Sequence, residues 1–281
     1  GEHLYFISNL SGKLSLYRMP ENGGVPQPLL PPDIALFTPE LMGGDPYRVF
    51  PSLGLIVVML DRDGNEEYAP HVIPLDGGFP EPLLPDLFAG QRSHRSYSDG
   101  PGALAVFDCE ALAEAVNTAW LVQIDNRTVL KLAESGHSMG AAGVSLSGDT
   151  VALLEGYTVG DSTLSVWTRG GGLKRLYGIP LDERPADVPA PPLTGFGLAA
   201  FISGDAALLI VTALFSDTYG IGRVALATPD QIEPIAITGL RHAGEGELEG
   251  IHWLADDRYS LTYNIDGASW LYEARYDEAK R

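Results

Sequence analysis

Residues 6–30, FISNLSGKLSLYRMPENGGVPQPLL, decide the fold once they are set beside residues 58–84, VMLDRDGNEEYAPHVIPLDGGFPEPLL. Gly12 answers Gly64 at an offset of 52. Gly23-Gly24, Pro26, Pro28 and Leu29-Leu30 answer Gly77-Gly78, Pro80, Pro82 and Leu83-Leu84 at 54, so a two-residue insertion separates the registers. Each copy reads as an apolar strand, a polar turn, an alternating strand, a Gly-Gly turn and a short strand ending in Leu-Leu. Two turns joining three strands make an antiparallel meander. Pro26, Pro28, Pro80 and Pro82 offer no N–H to a ladder, so the third strand belongs at a sheet edge.

Working outward, residues 47–50 supply a further strand before the second copy, and looser copies follow. Strands are expected at 103–107, 118–124 and 128–132; at 143–146, 150–154, 164–168 and 173–177; at 198–202, 207–214, 222–227 and 232–237; and at 250–254, 259–263 and 270–275. The outer strands end near residues 30, 84, 132, 177 and 237, in steps of 54, 48, 45 and 60. That is the blade period of a β-propeller. The expected fold is therefore all-β: a single propeller domain over 1–281, with six four-stranded antiparallel blades at about 3–30, 47–84, 94–132, 142–177, 197–237 and 249–281. Seven blades is the alternative. The first blade lacks an inner strand before His3 and the last an outer strand after Arg281.

Composition agrees. The 33 Gly and 21 Pro are too much punctuation for a helix bundle, while 45% hydrophobic residues suffice for a core. Only residues 110–115 look helical, and six residues make a marginal helix; a doubly wound sheet would need 10- to 15-residue helical patterns between strands. A net charge of −19 has the wrong sign for binding nucleic acid or an anionic membrane surface. The longest apolar run, Leu55–Leu60, is far short of a bilayer span. Cys109, the single cysteine, rules out an internal disulfide and a thiolate metal cage. No export signal is visible at Gly1-Glu2-His3, which leaves the compartment open with the cytoplasm favoured.

The turn DRDGNEEY (61–68) with VIPLDGGFPEPLL (72–84), the opening LYFISNLSGKLSLYRM (4–19) and the closing SWLYEARYD (269–277) resemble propeller repeats of the prolyl-oligopeptidase family. The likeness is to its acylaminoacyl-peptidase-like and dipeptidyl-peptidase-like branches, and similar repeats occur in TolB-like propellers. The resemblance implies a propeller joined to a C-terminal α/β-hydrolase domain that carries the catalytic Ser, Asp and His. The propeller in such proteins restricts access and helps position the peptide. This chain stops where that domain would begin, so no activity is expected from it alone, and its implied partners are the hydrolase domain and peptides. The alternative is a stand-alone TolB-like propeller serving as a protein- or peptide-binding scaffold.

Two motifs compete with that reading. GHSMG (136–140) fits the G-x-S-x-G nucleophile elbow and would make the chain an esterase. The elbow needs a strand, a tight turn and a helix, whereas AAGVSLSGDTVALLEG (141–156) reads as strand, turn, strand. His242 or His252 would have to act as a distant base. Ser138 is accordingly read as part of a blade-connecting loop, and no catalytic residue is expected. Residues 61–67 alternate carboxylates as calcium loops do, but Glu66 stands where an EF-hand needs Gly. A hairpin turn on Asp63-Gly64 or Gly64-Asn65 is simpler.

Binding is expected on the connectors between blades, which share one face near the mouth of a propeller's channel. His94, His137 and His242 fall in these segments. Arg92, Arg95 and Tyr97 accompany His94 in QRSHRSY (91–97), and Arg241 precedes His242. In a chain with 18 basic residues, such cations are suited to grip a carboxylate or a peptide carbonyl; the plainer reading is ion pairing with neighbouring acids. No metal or cofactor is expected. Trp253 and Trp270 are read as packing between blades.

Overall fold

LIVVML (55–60) and LLIV (208–211) are almost wholly buried, as strands covered on both faces must be. Around such strands the chain forms six antiparallel sheets, each a blade of a β-propeller with almost no helix. The computed structural model describes residues 2–36, 45–97, 102–187 and 189–280; the side chains of 94–97 and 280 lie outside that description.

Blade 1 holds β1 (His3–Ser8), β2 (Ser15–Pro20) and β3 (Gln27–Pro28). Blade 2 holds β4 (Tyr47–Phe50), β5 (Leu55–Leu60), β6 (Ala69–Pro74) and β7 (Glu81–Pro82), followed by the one-turn helix α1 (Pro85–Phe88). In blade 3 are β8 (Gln91–Tyr97), β9 (Leu104–Ala111), β10 (Asn117–Gln123) and β11 (Thr128–Ser135). Blade 4 comprises β12 (Ser138–Val144), β13 (Thr150–Thr158), β14 (Asp161–Thr168) and β15 (Gly172–Tyr177). Blade 5 comprises β16 (Ala199–Ile202), β17 (Ala207–Thr212), β18 (Gly220–Ala225) and β19 (Ile232–Ile235), and blade 6 β20 (Gly246–Ala255), β21 (Arg258–Ile265) and β22 (Ala268–Arg275). The terminal blades have three strands each, and the other four have four.

The described residues fall into two compact units, one of residues up to 97 with 102–131, the other from 132 onward. In the first, the Pro-bearing strands β3 and β7 are two residues long and lie outermost, as a missing donor requires. Each is followed by a leucine that enters the core. Leu29 N donates to Leu16 O at 2.8 Å and Leu83 N to Pro70 O at 2.8 Å, with the two side chains 2% and 0% exposed. The hairpin between β5 and β6 turns on Asp63 and Gly64, at φ 54° and 80°, and Asn65 N closes it on Arg62 O. Two successive positive φ values define the hairpin turn that the Asp-Gly pair favours.

In the second unit, blades 4 and 5 share a core of Ala142, Leu164, Leu176, Leu208 and Ile210, and blades 5 and 6 share another that includes Leu209, Leu248, Leu261 and Tyr263. Residues 110–115 are not helical: β9 runs to Ala111, and Ala111 N bonds Val116 O across a turn. The helical turn lies instead at α1, where Pro85 sits in the first turn and Leu84 caps at φ 66°. No helix among the described residues is long and apolar enough to cross a membrane.

Candidate functional site

Within an antiparallel four-stranded blade, the chain enters the first strand, turns from second to third, and leaves the fourth at the same end. Connectors and second hairpins therefore share a face of each blade. His137 lies on that face, between β11 and β12. Its N–H donates to Ser135 Oγ at 2.9 Å, and its ring meets Tyr157 edge-on at 5.0 Å. Ser135 Oγ donates to Glu155 Oε1, and Tyr157 OH donates to Glu155 Oε2 at 2.7 Å. Arg184 lies over the other part of this group, 5.0 Å from the Tyr157 ring, and forks onto Asp161 at 2.6 and 2.9 Å. Burial, reinforced by Glu155, pushes the Tyr157 hydroxyl up to about 12.

Ser138 is the first residue of β12, and its Oγ donates to Gly156 O of β13 at 3.2 Å. Residues 138–158 are thus two paired strands, without the strand-turn-helix that holds a nucleophile elbow.

His242 and Arg241 lie between β19 and β20. The His242 ring stacks on Trp270 at 3.4 Å and 19°, and its Nδ1 is 2.6 Å from Tyr272 OH. Trp270 was expected between blades; it stacks on this connector instead, 37% exposed, because it occupies the end of β22 beside the hairpin. Arg241 has no ion pair among the described residues. His137 and His242 are each held by aromatic residues of their own surroundings and share no partner among the described residues.

The cluster QRSHRSY is not a connector. Gly90, at φ 69°, ends the connector, and residues 91–97 form β8, paired with β9 and bulged between Ser93 and Arg95. A segment without a strong turn former extends into the sheet. Arg92 lies 3.8 Å from Glu110 Oε2, and Ser93, fully buried, bonds Tyr68 O. The side chains of His94, Arg95 and Tyr97 lie outside the described residues.

The same face of blade 2 carries a cleft of about 490 Å³ that the sequence reading missed. Ile34, Leu83 and Phe88 supply apolar wall, and Pro70, Pro82 and Pro85 line it further; Asp33, Asp61, Asp63 and Glu67 supply carboxylates. His71, on β6, also lines it. Its Nδ1 lies 3.0 Å from Ala69 O, and burial lowers its pKa. The alternating carboxylates at 61–67 were the available signal, but Asp33, His71 and the prolines come from other elements. Among the described residues, no three His, Cys, Asp or Glu gather in a metal-binding group.

No protein-family model and no curated protein matches the sequence. Solved structures are similar. A puromycin-hydrolyzing peptidase of Mycobacterium tuberculosis is 16% identical with a TM-score of 0.69, over 99% of this chain and 44% of that one. Prolyl oligopeptidase B from Galerina marginata is 12% identical with a TM-score of 0.64, over 98% of this chain and 41% of its own. Oligopeptidase B from Leishmania major is 12% identical with a TM-score of 0.58, over 99% and 38%. The chain spans less than half the length of these proteins. Over nearly all of its residues it has the propeller fold found in peptidases of the prolyl-oligopeptidase type.

Proposed function

We propose that these residues are the non-catalytic propeller of a prolyl-oligopeptidase-like serine peptidase, restricting access and docking peptide for an α/β-hydrolase domain outside residues 1–281. The observation that carries this is one of extent: 98–99% of the chain superposes on 38–44% of each peptidase, leaving in each a remainder large enough for a second domain. The pairing of Ser138 within β12 and β13 supports placing the nucleophile elsewhere. Fold alone does not confer an activity, so the reading rests on that division of labour.

The test is hydrolysis by the polypeptide translated from the complete reading frame, assayed with short aminoacyl and acylaminoacyl anilides. Cleavage that persists in Ser138→Ala and disappears when the hydrolase-domain serine is replaced supports the proposal. A full-length protein that cleaves no peptide, or one silenced by Ser138→Ala, refutes it.

A further inference from the structure

A second cleft, of about 360 Å³, lies between blades 5 and 6 of the second unit. Residues 235–240, which continue from β19, form one wall, and residues 272–275 of β22, with Tyr276, form the other. Successive residues of a strand point to opposite faces, so four in a row line one cleft only where it runs along the edge of the strand. β22 pairs with β21 on its other edge, and no backbone hydrogen bond joins 235–240 to 272–276. Unpaired backbone groups therefore border the cleft on both sides.

Its floor is apolar: Leu209, Ile221, Ile251 and Leu261 line it and are each at least 95% buried. The two charged side chains that line it are already neutralised, Glu273 by Arg258 at 3.3 Å and Arg275 by Asp257 at 2.7 Å. A charged group would gain no counter-ion here and would lose water, so the cleft selects an uncharged one.

An independent observation concerns Tyr259, on β21. It lines the cleft, is 6% exposed, and its hydroxyl makes no hydrogen bond among the described residues. The nearby Tyr276 hydroxyl is sealed from solvent, whereas that of Tyr259 is not. Burial, reinforced by Asp257, pushes the Tyr259 hydroxyl up to about 12, so at neutral pH it is a proton donor. Buried tyrosine hydroxyls ordinarily have a partner, and an acceptor entering the cleft would supply it. Backbone edges, an apolar floor and a donor without an acceptor together fit a strand with an apolar side chain.

We propose that this cleft binds an extended peptide segment that adds to the edge of β22, seats an uncharged aliphatic side chain on the apolar floor, and accepts a hydrogen bond from Tyr259 on a main-chain carbonyl. This rests on the peptide-docking reading above and adds the conformation and side-chain class of the docked segment.

The experiment is fluorescence anisotropy of the 281-residue chain and of the full-length polypeptide with dye-labelled Ac-Thr-Thr-Leu-Thr-Thr-amide. Two control peptides replace the leucine by aspartate or methylate the backbone nitrogens. The leucine peptide should bind at least about 10-fold more tightly than the aspartate peptide, and methylation should weaken it at least about 10-fold by removing main-chain donors. Tyr259→Phe should weaken binding about 5-fold and leave the melting temperature unchanged, since no bond within the fold is lost. Ala236→Trp, at an exposed position in the wall, should block binding. Equal affinity for the three peptides, full affinity in Tyr259→Phe, or no binding overturns the proposal. Binding by the 281-residue chain but not by the full-length polypeptide assigns the cleft to a segment of the same polypeptide and overturns it too. So does self-association abolished by Ala236→Trp, which assigns the cleft to a second copy. A full-length protein that cleaves peptides but shows none of these differences refutes this site alone and leaves the peptidase reading standing.

Discussion

Leu83→Ala probes the repeat at its deepest point. Leu83 is 0% exposed and packs with Val72, Phe88 and Phe107. Its backbone N–H bonds Pro70 O, a contact that alanine retains. Truncation removes three buried carbons, worth roughly 2.4 kcal/mol at about 0.8 kcal/mol each. The cavity left between β6, β7 and α1 closes only partly, which raises the cost to about 3–4 kcal/mol. Leu271 provides the control, because the same side chain on β22 is 74% exposed; Leu271→Ala should stay within about 0.5 kcal/mol of the parent. Urea unfolding followed by tryptophan fluorescence measures both, Trp120 being packed against the Leu83 cluster. The midpoint should fall for Leu83→Ala with the slope unchanged. If the two variants cost the same, or Leu83→Ala costs less than about 1 kcal/mol, the argument that the Leu-Leu ending anchors each outer strand is wrong.

Further outcomes follow from backbone geometry and from titration. Gly23 and Gly77 are equivalent in the repeat and have φ of 95° and 89°, but a Cβ on Gly23 meets nothing within 4 Å while one on Gly77 lies 2.8 Å from Leu29 O. Gly23→Ala should cost about 1 kcal/mol from backbone strain alone, and Gly77→Ala about 2 kcal/mol or more, measured by the same urea titration. At Gly143 a Cβ would stand 2.3 Å from Ala199 O, where β12 and β16 approach, so Gly143→Ala should lower stability by about 3 kcal/mol. Burial pushes the Cys109 thiol from 9.0 up to about 12. Between those values the folded chain keeps a proton that the unfolded chain has lost, so this stabilisation is complete below pH 9 and declines as pH rises toward 12, at up to about 1.4 kcal/mol per pH unit. Cys109→Ala should flatten that slope in unfolding titrations between pH 9 and 11. Because burial lowers the His71 pKa from 6.5, the opposite holds in acid: its contribution is present above pH 6.5 and is lost below it, and His71→Gln should remove that part of the acid dependence.

Much of the fold was legible in the chain. Gly23-Gly24 and Gly77-Gly78 fix turns that need positive φ, prolines fix which strand lies at the edge, and alternation fixes the meander, all through interactions a few residues apart. The reading slipped where local signals are weak. QRSHRSY carries charges and no turn residue, so its polar character suggested a connector although it pairs with β9. Residues 110–115 have helical composition, but cross-strand bonds to β8 and β10 outweigh propensity. The stacking of His242 on Trp270 joins residues 28 apart through a hairpin whose register no spacing rule supplies.

The candidate site divides the same way. The amino-acid sequence alone determined that the chain repeats and that each repeat is a small antiparallel sheet, because turns and alternation are local chemistry. Only the tertiary structure decided that Asp33, Asp61 and His71 meet around a cleft. Those groups come from a connector, a hairpin and a strand, and their proximity is set by packing between elements.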